Sequence, residues 1–79
     1  VVTLKKIMSK EDVSKELDRI TYLTGINRGG LVMLIAEMNS VSRQSVYQWL
    51  RNNEFSDRAR VLYALQIIEM DYAEQAATV

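Results

Sequence analysis

Three features of the sequence predict an all-α fold. Proline is absent, glycine occurs only at positions 25, 29 and 30, and apolar residues recur at three- and four-residue steps. Threonine and valine are spread too thinly to read as successive strands. The expected architecture is a small domain of four to five helices over residues 1–79, with a helix-turn-helix at its centre. Residues 1–8 are expected to form an arm or a short strand, and residues 75–79 a frayed tail.

The first helix is expected to start at Ser9, whose hydroxyl can accept a backbone N–H of the first turn. Glu11 and Asp12 suit the positive end of the helix dipole, and Met8 and Val13 occupy the two positions of a hydrophobic staple. Val13, Leu17, Ile20 and Leu23 repeat at helical spacing, so one apolar stripe runs to about Tyr22. Gly25 supplies the stop. A second helix begins at Asn27 or at the Gly29-Gly30 pair. Its body, Leu31 to Met38, is apolar nearly all round and is expected to be central and buried.

Asn39 and Ser40 end that helix. Ser42 should cap the next one, which extends over 43–52, and Asn52-Asn53 can stop it because asparagine tolerates the left-handed conformation. Ser56 is expected to cap a last helix, with Asp57 in its first turn. Val61, Leu65, Ile68 and Tyr72 make one stripe, which Leu62, Tyr63, Ile67 and Met70 broaden. That is more apolar surface than the closing helix of a small core needs, so 57–72 is a candidate homodimer face as well as a core element.

Composition excludes several classes. With no cysteine and no histidine, disulfide stapling and the usual zinc-ligand sets are out, and no side chain offers a base or thiolate near neutral pH. No run of about 18 apolar residues suggests a membrane span. The missing cysteines fit a reducing cytoplasm, and the first residues do not look like a signal peptide. Gly29-Gly30 lacks the lysine of a nucleotide-cradling loop. The carboxylates at 11, 12, 16 and 18 read as the solvated face of the first helix. No enzyme, cofactor or metal is therefore expected.

Net charge is zero, with ten basic and ten acidic residues, which weighs against nucleic-acid binding. The distribution softens the objection. Residues 40–60 hold Arg43, Arg51, Arg58 and Arg60 against Glu54 and Asp57, whereas the acids Glu69, Asp71 and Glu74 collect in the tail.

The informative stretch is Ala36 to Arg51. An apolar helix ends, a short polar turn follows, and a second helix buries Val46, Trp49 and Leu50 while presenting Arg43, Gln44, Tyr47, Gln48 and Arg51. Val32 to Arg51 resembles the helix-turn-helix of the lambda Cro and repressor family of phage regulators, and Val46-Tyr47-Gln48-Trp49-Leu50 is similar to the recognition-helix core of small Cro-type proteins. The family pattern is met by Ile35, Ala36, Val41, Val46 and Trp49. Two positions depart from it: Ser40 stands where the turn usually has glycine, and Asn39 where an apolar residue is usual. A competing register, with Gly25 at the turn, resembles nucleoid-type regulators. Its recognition helix would be Val32-Met33-Leu34-Ile35, which offers no polar group to a base edge.

The resemblance implies a homodimeric transcription regulator of phage or plasmid type, acting as a repressor or an activator on a pseudo-palindromic operator. Two recognition helices about 34 Å apart would meet successive major grooves. Ser42, Arg43, Gln44, Ser45, Tyr47, Gln48 and Arg51 are the candidate contacts. Arg43 could pair with guanine O6 and N7, and Gln44 or Gln48 with adenine; a phosphate role for Arg43 stays open. Ser42 could both cap the helix and touch phosphate. Arg28, Arg51, Asn53 and Arg58 are candidate backbone anchors, with a solvated surface role equally open for Arg28 and Arg58. The other class left open is a helical protein–protein interaction module without DNA binding.

Overall fold

Four helices in sequence account for all the regular structure among the described residues: α1 (Lys10–Thr24), α2 (Arg28–Met38), α3 (Arg43–Arg51) and α4 (Phe55–Ala77). The computed structural model describes residues 10–52 and 54–77. The Ser9 cap, the Met8–Val13 staple, the arm at 1–8 and Asn53 lie outside that range. The fold is all-α, as the sequence predicts.

Each chain reversal has a local cause. At the end of α1, Gly25 takes φ +78° and donates its N–H to the Thr21 carbonyl at 2.9 Å, a left-handed stop. The helix runs to Thr24, up to the expected Gly25 stop, and the Thr24 hydroxyl binds the Ile20 carbonyl at 2.8 Å and accepts from the Ile26 N–H. Asn27 caps α2, its Oδ1 accepting from the Gly30 N–H at 2.7 Å. Gly30 is required for space, since a Cβ there would lie 2.8 Å from Ile26 Cγ2.

The core is contributed by all four helices. Val13, Leu17 and Ile20 of α1, Leu31, Val32, Ile35 and Ala36 of α2, Val46 of α3, and Val61, Ala64, Leu65 and Ile68 of α4 are buried. Several expectations need correction. Leu23 and Tyr22 do not continue the α1 stripe but face solvent, Tyr22 almost fully. Met33 and Met38 leave α2 exposed on one side, and Tyr72 is exposed past the end of the core. With so small a chain there are not enough neighbouring elements to cover both faces of an apolar helix.

The start and end of α4 also differ from expectation. Ser56 lies inside the helix rather than capping it, because the Glu54 carbonyl already accepts the Arg58 N–H at 3.1 Å. Asn52, for its part, stops α3 in an extended conformation (φ −72°, ψ 151°), not the left-handed one. Its amide donates to Asp57 Oδ2 at 3.0 Å, so the short α3–α4 link is tied across its two ends. The expected frayed tail is helical through Ala77. Alanines 73, 76 and 77 have high helix propensity, and Gln75 Nε2 bonds Asp71 Oδ2 one turn back.

One surface network joins the first and last helices. Arg19 binds Glu16 within α1 and both carboxylate oxygens of Glu69 on α4, at 2.7 and 3.1 Å. The Arg19 guanidinium beside it holds the Glu69 carboxyl below the usual carboxylate range, against a smaller opposing effect of burial. The two carboxylates in turn raise the Arg19 pKa.

Candidate nucleic-acid interface

The turn between α2 and α3 sets the presentation of everything after it. Ser40 adopts φ +55° and donates its N–H to the Glu37 carbonyl at 3.2 Å, while the Val41 N–H reaches the Ala36 carbonyl at 3.0 Å. These two bonds are the Schellman pattern, with serine in the left-handed position that glycine usually fills. Val41 then packs on the core. Asn39, polar where the helix-turn-helix pattern is usually apolar, is half-buried and donates its side-chain amide to the Ile35 carbonyl at 2.9 Å. It closes the same helix end by a hydrogen bond instead of by packing.

Ser42 caps α3 as expected. It is extended, and its Oγ accepts the Ser45 N–H at 3.2 Å and lies 3.2 Å from the Ser45 hydroxyl. On the inner side Val46 is fully buried, with Trp49 and Leu50 partly buried against the core. On the outer side Ser42, Arg43, Gln44, Tyr47, Gln48 and Arg51 are all exposed, and Ser45 is half-buried. The structure thus brings seven of the ten candidate residues together on or beside one short helix. The side chains of Arg43, Gln44, Tyr47, Gln48 and Arg51 make no hydrogen bond or ion pair with other described residues. Two arginines and no acid stand on α3.

Arg28 and Arg58 are placed differently. Arg28 is committed within the fold, its Nη2 meeting Asp18 Oδ1 at 3.1 Å and the Ser14 hydroxyl at 2.8 Å, so it fastens α1 to the start of α2. Arg58 is not a surface anchor: only 9% of it is accessible. The reason was readable in the spacing, because positions 58, 61, 65 and 68 form one helical stripe and three of them are core. Asp57 is likewise buried. Asn53, the remaining candidate, lies outside the described residues.

Three contacts support α3, of which only the Arg60–Asp57 pair, three residues apart on one helix, is local in sequence. Lys10 Nζ donates to the Arg51 carbonyl at 2.9 Å, placing a cation on the negative end of α3. The Arg60 guanidinium lies 5.3 Å from the centre of the Trp49 ring and 3.3 Å from Asp57 Oδ1. It therefore covers a half-buried tryptophan and pairs with Asp57, while about half of its side chain stays accessible. Beside the end of α3, an open groove of about 330 Å³ is lined by Lys10, Glu11, Ser14, Arg28 and Arg51, among others. No helix among the described residues is long and apolar enough to cross a membrane.

Comparison with known proteins gives no match to a family model, to a curated protein or to a solved structure.

Proposed function

We propose that the protein is a sequence-specific double-stranded DNA-binding transcription regulator, cytoplasmic and homodimeric, which reads the major groove with α3 in the manner of the Cro-like regulators it resembles. The observation that carries this reading is the outer face of α3. Five long polar side chains stand exposed and uncommitted there, on a helix whose opposite side is locked into the core. Holding such side chains free costs a structural protein surface it could otherwise pair, whereas a reader of base edges needs donors and acceptors unspent. Arg43 and Gln44 occupy the first turn of the helix, the part that enters the groove in this motif. Tyr47, Gln48 and Arg51 follow along the same side, and on this reading Ser42 at the N-cap would face a phosphate strand.

Zero net charge gives this reading a specific form. Long-range attraction to DNA is weak, so the affinity must come from local contacts and the discrimination between specific and random sites must be large. The test is selection of a binding site from random duplexes, followed by binding of Arg43→Ala to single-base variants of the selected site. The variant should lose about 1–3 kcal/mol and become indifferent to the base at one position. An equal loss on every sequence would move Arg43 to the phosphate backbone.

A protein-interaction role without DNA is the second reading, favoured by the exposed Tyr63, Ile67 and Met70 of α4. Failure to enrich any sequence in the selection would favour it.

A further inference from the structure

The outer face of α4 has an order that its core does not require. Arg60, Tyr63, Ile67, Met70 and Glu74 follow one another at steps of three, four, three and four residues, which places them along one side of the helix. All five are exposed, with Tyr63 at 68%, Ile67 at 43% and Met70 at 63%. The opposite side, Val61, Ala64, Leu65 and Ile68, is the one packed into the domain. The exposed seam therefore has an apolar middle, a cation at its beginning and an acid at its end, over about 21 Å of helix. Asp71 lies on the same flank as Arg60, next to Glu74.

We infer that this seam pairs with the same seam of a second copy, the two α4 helices running antiparallel about a two-fold axis at Ile67. The stripe is self-complementary about that residue to within one residue of register. Ile67 meets its own counterpart once, on the axis; Tyr63 falls between Met70 and Asp71 of the other copy and Arg60 falls level with Glu74, each of these contacts occurring twice. A two-fold interface needs such a self-complementary patch. Parallel pairing would set arginine against arginine and glutamate against glutamate, so the charges select the antiparallel arrangement. Opposing charges at the ends of an apolar stripe also disfavour an unrelated hydrophobic occupant.

The three apolar side chains supply on the order of 300 Å² per copy, against about 800 Å² for a standard interface. The dimer is accordingly weak, with dissociation on the order of 10–100 μM. The contact rests on the homodimeric part of the proposed function and gives it a surface; it is tested without DNA, so the contact and the DNA binding can fail separately.

The experiment combines sedimentation equilibrium with cysteine cross-linking in a chain that has no cysteine of its own. Glu74→Lys should weaken association roughly tenfold or more, because both end pairs become repulsive, and Arg60→Glu combined with Glu74→Lys should recover most of it. Since Arg60 also covers Trp49 and pairs with Asp57, the cross-linking arm uses residues that leave both contacts intact. Under mild oxidation Ile67→Cys should form a disulfide between copies, since the two sulfurs meet at the axis. Tyr63→Cys should not, because its counterpart lies well beyond the roughly 7 Å Cα separation a disulfide tolerates. Equal cross-linking at both positions would overturn the antiparallel pairing. A strict monomer at several hundred micromolar would overturn the contact altogether and leave the seam to a different partner.

Discussion

Ser40 is the residue whose replacement tests the turn geometry most sharply. It holds φ +55°, a conformation that costs an ordinary L-residue about 1–2 kcal/mol. Its side chain is exposed and makes no hydrogen bond with other described residues, so nothing offsets that strain locally. Glycine removes the Cβ conflict but adds freedom to the unfolded chain, a loss of about 0.5–1 kcal/mol. Ser40→Gly should therefore stabilise the protein by roughly 0.5–1 kcal/mol, which for a domain of this size raises Tm by about 2–8 °C. Gly25→Ala is the mirror experiment. Gly25 has φ +78°, and a Cβ there would meet nothing within 4 Å, so backbone strain acts alone and the variant should lose a similar amount. Thermal and urea unfolding followed by circular dichroism read both. A Ser40→Gly protein no more stable than wild type, beside a neutral Gly25→Ala, would refute the argument that these two left-handed residues carry the strain.

Other substitutions have equally definite outcomes. Ser42→Ala removes the side-chain N-cap of α3, a hydrogen bond of 3.2 Å, and should cost about 0.5–1 kcal/mol in urea unfolding, the lower end for a cap of that length. Leu65→Ala opens a cavity at a side chain 1% exposed and should cost about 2–5 kcal/mol, enough to unfold much of a marginal domain at 37 °C. The Glu69 carboxyl, lowered by Arg19, adds stability that is present above its unfolded pKa and lost as pH falls through its folded one. Wild type should thus lose more stability than Glu69→Gln on acidification below the ordinary carboxylate range. The difference should stay under about 1 kcal/mol, because both partners are solvent-screened.

How much of this was legible in the chain differs from element to element. The helices, the Gly25 stop, the Ser42 cap and the outward face of α3 follow from local rules, because each depends on residues within one or two turns; for α2 the sequence leaves Asn27 and the Gly29-Gly30 pair as alternative starts, and the Asn27 cap decides between them. The left-handed Ser40 was legible too, as a serine occupying a position that calls for glycine. Ser56 misled because a good capping residue was overruled by the Glu54 carbonyl two residues earlier and by the Asn52–Asp57 bond. Arg28 and Arg60 misled for a different reason. Their partners, Asp18 and Ser14 for one and Trp49 for the other, are 10 to 14 residues away for the first and on another helix for the second, and only tertiary packing reveals them. Arg58 could have been placed by its spacing to Val61 and Leu65, but arginine is so rarely buried that residue type outweighed position. Lys10 on the carbonyl end of α3 spans 41 residues and left no trace in the sequence pattern.

The account stands on the exposed face of α3, and the salt dependence of duplex binding tests it most directly. Affinity of the wild type and of an Arg43→Ala/Gln44→Ala double variant should be measured on the selected site and on random duplex across a range of salt concentrations. The wild type should bind its selected site with an affinity that falls steeply as salt rises, and the double variant should lose most of the preference for that site over random DNA. Absence of binding to any duplex at low salt, selected or random, would contradict the assignment of α3 as a recognition helix.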